Sequence, residues 1–175
     1  HRPGRPLAVV RVAVSVGVAV SLGLVFGLAA GYRRGLTDDL IMRLMDALLA
    51  FPSLMLALAI TAALGPAISN AMIAIGIVYT PIFARLVRGQ VLQVRELDYV
   101  QAARVVGAAD FRIVRYHILP QVVSVVIIQG SLSIAAAIIT ETSLSFLGLG
   151  PAPPTPSWGR RLKEGYPFMQ SAPWL

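Results

Sequence analysis

The sequence predicts an all-α fold, a polytopic bundle of membrane-spanning helices, and three observations carry that prediction. Four stretches are long and nearly uncharged, the arginines gather in the segments between them, and 57% of the 175 residues are hydrophobic while only 13% are charged. Soluble domains average roughly 45–50% apolar and 25% charged residues, so a soluble monomer could not hide this much apolar surface. In a lipid solvent the chain is better counted in spans, each needing about 20 largely apolar residues.

Residues 7–31 are the first span. They contain one charge, Arg11, near the start, and at 1.5 Å per residue they exceed a hydrocarbon core of roughly 30 Å. Residues 32–46 then bring Arg33, Arg34, Asp38, Asp39, Arg43 and Asp46 together, which predicts a water-facing loop followed by the polar start of the next helix. Residues 47–64 are the second span. Gly65, Pro66, Ser69 and Asn70 make the short uncharged turn that two antiparallel helices need. Residues 71–84 continue as the third span, in which Pro81 predicts a kink. Six arginines with Glu96, Asp98 and Asp110 keep residues 85–117 out of lipid. Residues 121–149 are the fourth span, and after it Gly150, Pro151, Pro153, Pro154, Pro156, Trp158 and Gly159 predict a rigid irregular tail.

Orientation follows from the arginines. Segments 32–46 and 85–117 hold nine of them and the turn at 65–70 holds none, so the positive-inside rule places the two basic segments in the cytoplasm. Arg85 and Arg88 read as anchors of that kind at a helix end, and Trp158 as an interfacial anchor. Gly17, Gly23 and Gly27 read as small residues that let helices approach closely. The chain does not begin with methionine, and its first apolar run lacks a cleavage site. It therefore reads as part of a longer chain.

Several functions are disfavoured by what the residues lack. With no cysteine there is no disulfide or thiolate metal site, and His1 and His117 are too few and too far apart for a histidine metal site. The net charge of +7 is spread between apolar runs and forms no single basic face for nucleic acid. A phosphate-cradling loop needs Gly-x-x-x-x-Gly-Lys followed by Ser or Thr, whereas the only lysine, Lys163, follows Leu162. No catalytic constellation is visible, so the chain is not expected to be an enzyme. Energy for any transport must come from another chain or from an ion gradient. A gradient-driven secondary carrier needs ionisable groups within its spans, and the candidate there is Glu141. It falls near the outer end of the fourth span, which leaves it either a hydrated interfacial carboxylate or a residue lining the outer mouth of a translocation path.

The segment 98–120 carries the functional expectation. It reads as two short helices meeting at Gly107, the first started by an Asp98 cap with Gln101 returning a hydrogen bond, the second started by Asp110. Phe111, Val114 and Ile118 would form one apolar stripe, and Pro120 stops this helix or starts the next span. Such a pair suits docking to another protein or lying on anionic lipid.

Gln101, Ala102 and Ala103, with Gly107 six residues after the Gln and Leu119-Pro120 at the end, resemble the EAA motif of permeases in binding-protein-dependent ABC importers. Gln101 stands where the general pattern has Glu. His117 stands where it has Ile, as in the peptide-permease branch. Further matches occur in order along the chain: Gly31-Tyr32, Asp39 with Ile41-Met42-Arg43, Phe51-Pro52, the run Ala84 to Gly89, Leu144 to Gly150, and Pro154 to Gly159. The chain is thus similar to the C-type subunit of the dipeptide, oligopeptide and nickel permease family. The resemblance implies a type I ABC importer permease architecture in a bacterial inner membrane, coupled through residues 85–120, with Gln101, Ala102, Ala103, Gly107, His117, Leu119 and Pro120 meeting the ATPase and Glu141 by the path. It further implies a second permease, two ATP-binding cassette ATPases that bind the ATP, and an extracytoplasmic solute-binding protein. No cofactor of this chain's own is implied.

Overall fold

The computed structural model describes residues 5–65, 67–149 and 157–168, and every regular element among them is helical. The chain runs through α1 (Arg5–Arg33), α2 (Leu36–Leu49), α3 (Ser53–Leu64), α4 (Ile68–Val94), α5 (Asp98–Val105), α6 (Asp110–Ile113), a π turn (Val114–Ile118), α7 (Leu119–Phe146) and α8 (Trp158–Gly165), closing on a 3-10 turn at Tyr166–Phe168. Three helical stretches are long and apolar enough to cross a membrane: Val10–Arg33, Ile68–Val94 and Asp110–Phe146. The bent pair α2 and α3 makes a fourth if counted as one span.

The α1 and α4 pair is the spine of the fold. Gly23, Gly27 and Gly31 repeat every four residues along one face of α1, and each faces α4 at backbone distance. A Cβ on Gly23 would stand 2.3 Å from that of Phe83; on Gly27, 2.6 Å from that of Val87; on Gly31, 2.8 Å from that of Val91. Without hydrophobic drive between helices in lipid, such close van der Waals contact is what holds them together. The expectation for the glycines therefore holds at Gly23 and Gly27 but not at Gly17, which meets nothing within 4 Å. Phe83, Val87 and Val91 are fully buried there and join Val12, Val16 and Ala19 in one core.

Four expectations are corrected. Helix α4 continues to Val94, about three turns past the expected end at 84, with Pro81 buried inside it. Arg85 and Arg88 can stay helical there because α2 supplies their carboxylates: Arg85 Nη2 donates to Asp46 Oδ1 at 2.5 Å, and Arg88 donates through Nε and Nη2 to the two oxygens of Asp38, at 2.5 and 2.6 Å. Of residues 32–46, the loop shrinks to residues 34–35 and the polar start of the next helix begins at Leu36. The second span is also not continuous, because Pro52 lacks the N–H that would carry the helix through, and α2 meets α3 at 92°. Lastly, Trp158 and Gly159 open α8 and are not irregular, while the proline-rich part of that tail, residues 150–156, lies outside the described residues. Helix α8 packs on the end of α7, where Ser157 and Ser145 share a hydroxyl contact and Phe146 meets Tyr166 edge to face at 6.2 Å.

The Asp38 side chain is only 11% exposed and its two oxygens are met by one guanidinium. Arg88→Met should therefore strand a buried carboxylate, costing about 1.5–3 kcal/mol for the lost charged hydrogen bonds. Thermal unfolding in detergent should show a clear drop, with a smaller one for Asp38→Asn, which keeps an acceptor.

Candidate functional site: the short helix pair and its anchorage

Helix α5 ends as the sequence predicts. Gly107 has φ +85, Gly107 N–H donates to Arg104 O, and Ala108 N–H donates to Ala103 O at 3.0 Å. This is a Schellman closure, with the left-handed residue supplied by glycine. The start of α5 differs from expectation. Leu97 occupies the cap position, Asp98 is already helical, and no side chain caps the helix. Gln101 Nε2 instead donates to Arg95 O at 2.9 Å. Asp110 likewise does not cap α6, whose cap position is Ala109; its carboxylate accepts the Tyr32 hydroxyl from the end of α1. In both cases a partner on another element takes the side chain that a local cap would have used.

The apolar stripe is also rearranged. Phe111 is exposed, and the buried residues are Ile113, Ile118, Val122 and Val126. The π turn at Val114–Ile118 is the cause: one extra residue in the turn rotates the helix beyond it, so the period of 3.6 that joined Phe111 to Ile118 no longer applies. It also absorbs Pro120, which has no N–H to offer and sits as the second residue of α7. The rod therefore runs unbroken from Asp110 to Phe146.

The expected residues divide into two groups. Gln101 and Ala103 are half-buried and look inward, while Ala102 and Gly107 are exposed at the tip. His117 is half-buried with its ring 5.8 Å from that of Tyr99, Leu119 is half-buried, and Pro120 is exposed. Around the tip Val105, Val106 and Phe111 stand 87%, 86% and 74% exposed. Glu141 is far from this pair, half-buried in the last turns of α7.

Sequence reasoning missed what fastens the pair. Arg95, just past α4, donates through Nη1 to Gly31 O and Tyr32 O, both at 3.2 Å, and lies 5.9 Å over the Tyr32 ring. It thus satisfies carbonyls at the C-terminus of α1, where the helix dipole favours a cation. Burial first, then the charges of Arg34 and Arg104, pull its guanidinium below the ordinary arginine value. Arg34 donates to Glu96 at 2.7 Å. Arg95, Tyr32, Asp110 and Gln101 thereby join the ends of α1 and α4 to both short helices. The only signal in the sequence was that Tyr32, Arg34 and Arg95 sit at span ends, which does not reveal which ends meet. Tyr32→Phe should remove about 1 kcal/mol of anchorage. Amide exchange in α5 and α6 should quicken several-fold while the middle of α4 stays protected.

The fold and this site define an integral membrane protein whose long apolar helices are tied at their ends to a short helix pair. The chain belongs to the family described as binding-protein-dependent transport system inner membrane component, which it matches over residues 23–174. It is similar to the dipeptide transport system permease protein of Alkalihalophilus pseudofirmus, 48% identical over 85% of this chain and 49% of that protein. It is also similar to the glutathione transport system permease protein of Pectobacterium atrosepticum, 47% identical over 84% of this chain and 49% of that one, and to a putative peptide transport system permease of Brucella suis, 45% identical over 86% and 51%. The chain thus spans about half the length of these relatives.

Proposed function

We propose that this chain belongs to the permease subunit of an ATP-driven importer for peptides or related small solutes, and that the pair α5 and α6 couples it to a separate ATPase. The observation that carries the reading is the contrast between the two ends of the pair. Its base is bonded to α1 and α4 through Arg95, Tyr32 and Gln101, whereas its tip offers Val105, Val106 and Phe111 to the surroundings. Burying each of these against a partner would contribute about 1.5–3 kcal/mol, and a push on the tip reaches two spans through the base. In this reading Gln101, Ala102, Ala103, Gly107, His117, Leu119 and Pro120 form or brace the ATPase contact, and Glu141 borders the outer mouth of the path.

The chain works with a second permease, two ATPases and an extracytoplasmic solute-binding protein. ATP is bound by the ATPases; this chain contributes no cofactor and no catalysis. ATP-driven closure of the ATPases moves the helix pair, and the spans swing the path from inward-facing to outward-facing as packed bodies. The peptide class rests on the names of the relatives. Purification with and without residues 98–120 tests the proposal: the ATPase should co-isolate only when they are present, and solute uptake into vesicles stripped of ATPase would overturn it.

A further inference from the structure

We propose that α2 lies in the plane of the cytoplasmic leaflet boundary, with Leu36, Leu40 and Leu44 in contact with phospholipid. The first argument is how α2 is fastened. Asp38 is held by Arg88 and Asp46 by Arg85. On α4 these arginines are one turn apart, about 4.5 Å along the axis, whereas on α2 the two aspartates are about 12 Å apart. Attachment points spread along one helix but not along its neighbour mean that the two cross steeply. The 92° bend to α3, which returns into α4 through a short turn, agrees.

The second argument is depth. At 1.5 Å per residue Arg85 and Arg88 stand about 25 and 30 Å along α4 from its start at Ile68, and a hydrocarbon core is roughly 30 Å thick. Helix α2 thus crosses α4 where the core ends.

The third is how the side chains of α2 are sorted. Asp38 and Met45 are buried against the bundle. Asp39, Arg43 and Asp46 are exposed along one flank. Along the other, Leu36, Leu40 and Leu44 recur at every fourth residue and are 88%, 73% and 55% exposed. Protein on one side, polar groups on the second and apolar groups on the third is the partition an interfacial helix requires. The apolar flank is also continuous with the exterior of the spans, because Phe51 and Met55 at the elbow are exposed and lead on to Leu64. In this placement Arg43, exposed on α2, comes within reach of anionic lipid headgroups, which attract it.

These 175 residues contain no cysteine, so Leu40→Cys adds the one thiol among them for an environment-sensitive fluorophore in the permease assembled with its partner subunits, and the signal of the unsubstituted complex, labelled in the same way, is subtracted. The complex is placed in phosphatidylglycerol and phosphatidylethanolamine vesicles. Lipids bearing a nitroxide near the headgroup should quench this label several-fold more than aqueous iodide does, and the order should reverse for Asp39→Cys. Leu44→Cys gives the same readout if Leu40→Cys does not assemble. Quenching chiefly by iodide would put the leucines in water, quenching by neither would put them under another protein chain, and either result overturns the proposal. The inference rests on the membrane spans and not on the coupling reading, so ATP-driven uptake can fail its own test with this pattern unchanged.

Discussion

Gly107→Val is expected to leave the protein inserted in the membrane and to abolish uptake driven by ATP. A Cβ at this position meets nothing within 4 Å, so crowding is not the cause. The cause is φ +85, a left-handed conformation that a β-branched residue adopts only at a cost of about 1–3 kcal/mol. Helix α5 is eight residues long, too short to hold its form unaided, whereas α6 is the first turn of the rod that runs to Phe146. Losing the Schellman closure would let the tip with Val105 and Val106 reorient relative to the base. The spans, packed elsewhere, should be untouched. Uptake and solute-stimulated ATP hydrolysis, measured together in proteoliposomes, should part company: hydrolysis becomes independent of solute or falls to its basal rate. Gly107→Asn should retain much of the coupling, since asparagine tolerates the left-handed region. If valine transported normally, the tip would not be the point of coupling.

Gly23→Leu and Gly27→Leu are expected to do the opposite, destroying the bundle before coupling is at issue. The added Cβ would stand 2.3 Å from Phe83 Cβ in the first case and 2.7 Å from Ala84 O in the second, so α4 itself must move. Overpacking a dense interior costs about 1–3 kcal/mol even when side chains alone can shift, and here backbone is in the way. Thermal melts in detergent should fall sharply and monodisperse protein should be lost. Gly17→Leu is the internal control: it faces away from α4 and meets nothing, so it should behave like the unmodified protein. Equal loss at positions 17 and 27 would mean that insertion, not helix packing, had been disturbed.

The spans, the basic segments between them, the turn at Gly65 and the break at Gly107 were legible in the sequence because each depends on composition or on one residue's backbone preference. The motif residues were legible for the same reason, being close together along the chain. The capping of α5 and α6 was misread because Gln101 and Asp110 had two competing uses, and the sequence does not show that Arg95 O and the Tyr32 hydroxyl are within reach. The stripe through Phe111 was misread because the π turn changes the period without a distinctive residue. Arg85 and Arg88 read as anchors at the end of a span because an isolated arginine is costly near lipid, while here α4 runs on past them and Asp46 and Asp38 neutralise them from another helix.

What the sequence determined by itself is that this is a helical membrane protein with a glycine-broken helix pair between its later spans, since hydropathy, charge position and left-handed backbone are local properties. What only the tertiary structure decided is which ends are joined and where the chain bends: Arg95 to α1, Asp110 to Tyr32, Asp38 to Arg88, and α2 turned 92° from α3. Those pairings link residues about 50 to 80 positions apart and form because a buried charge or an unsatisfied helix terminus must find a partner wherever the chain brings one.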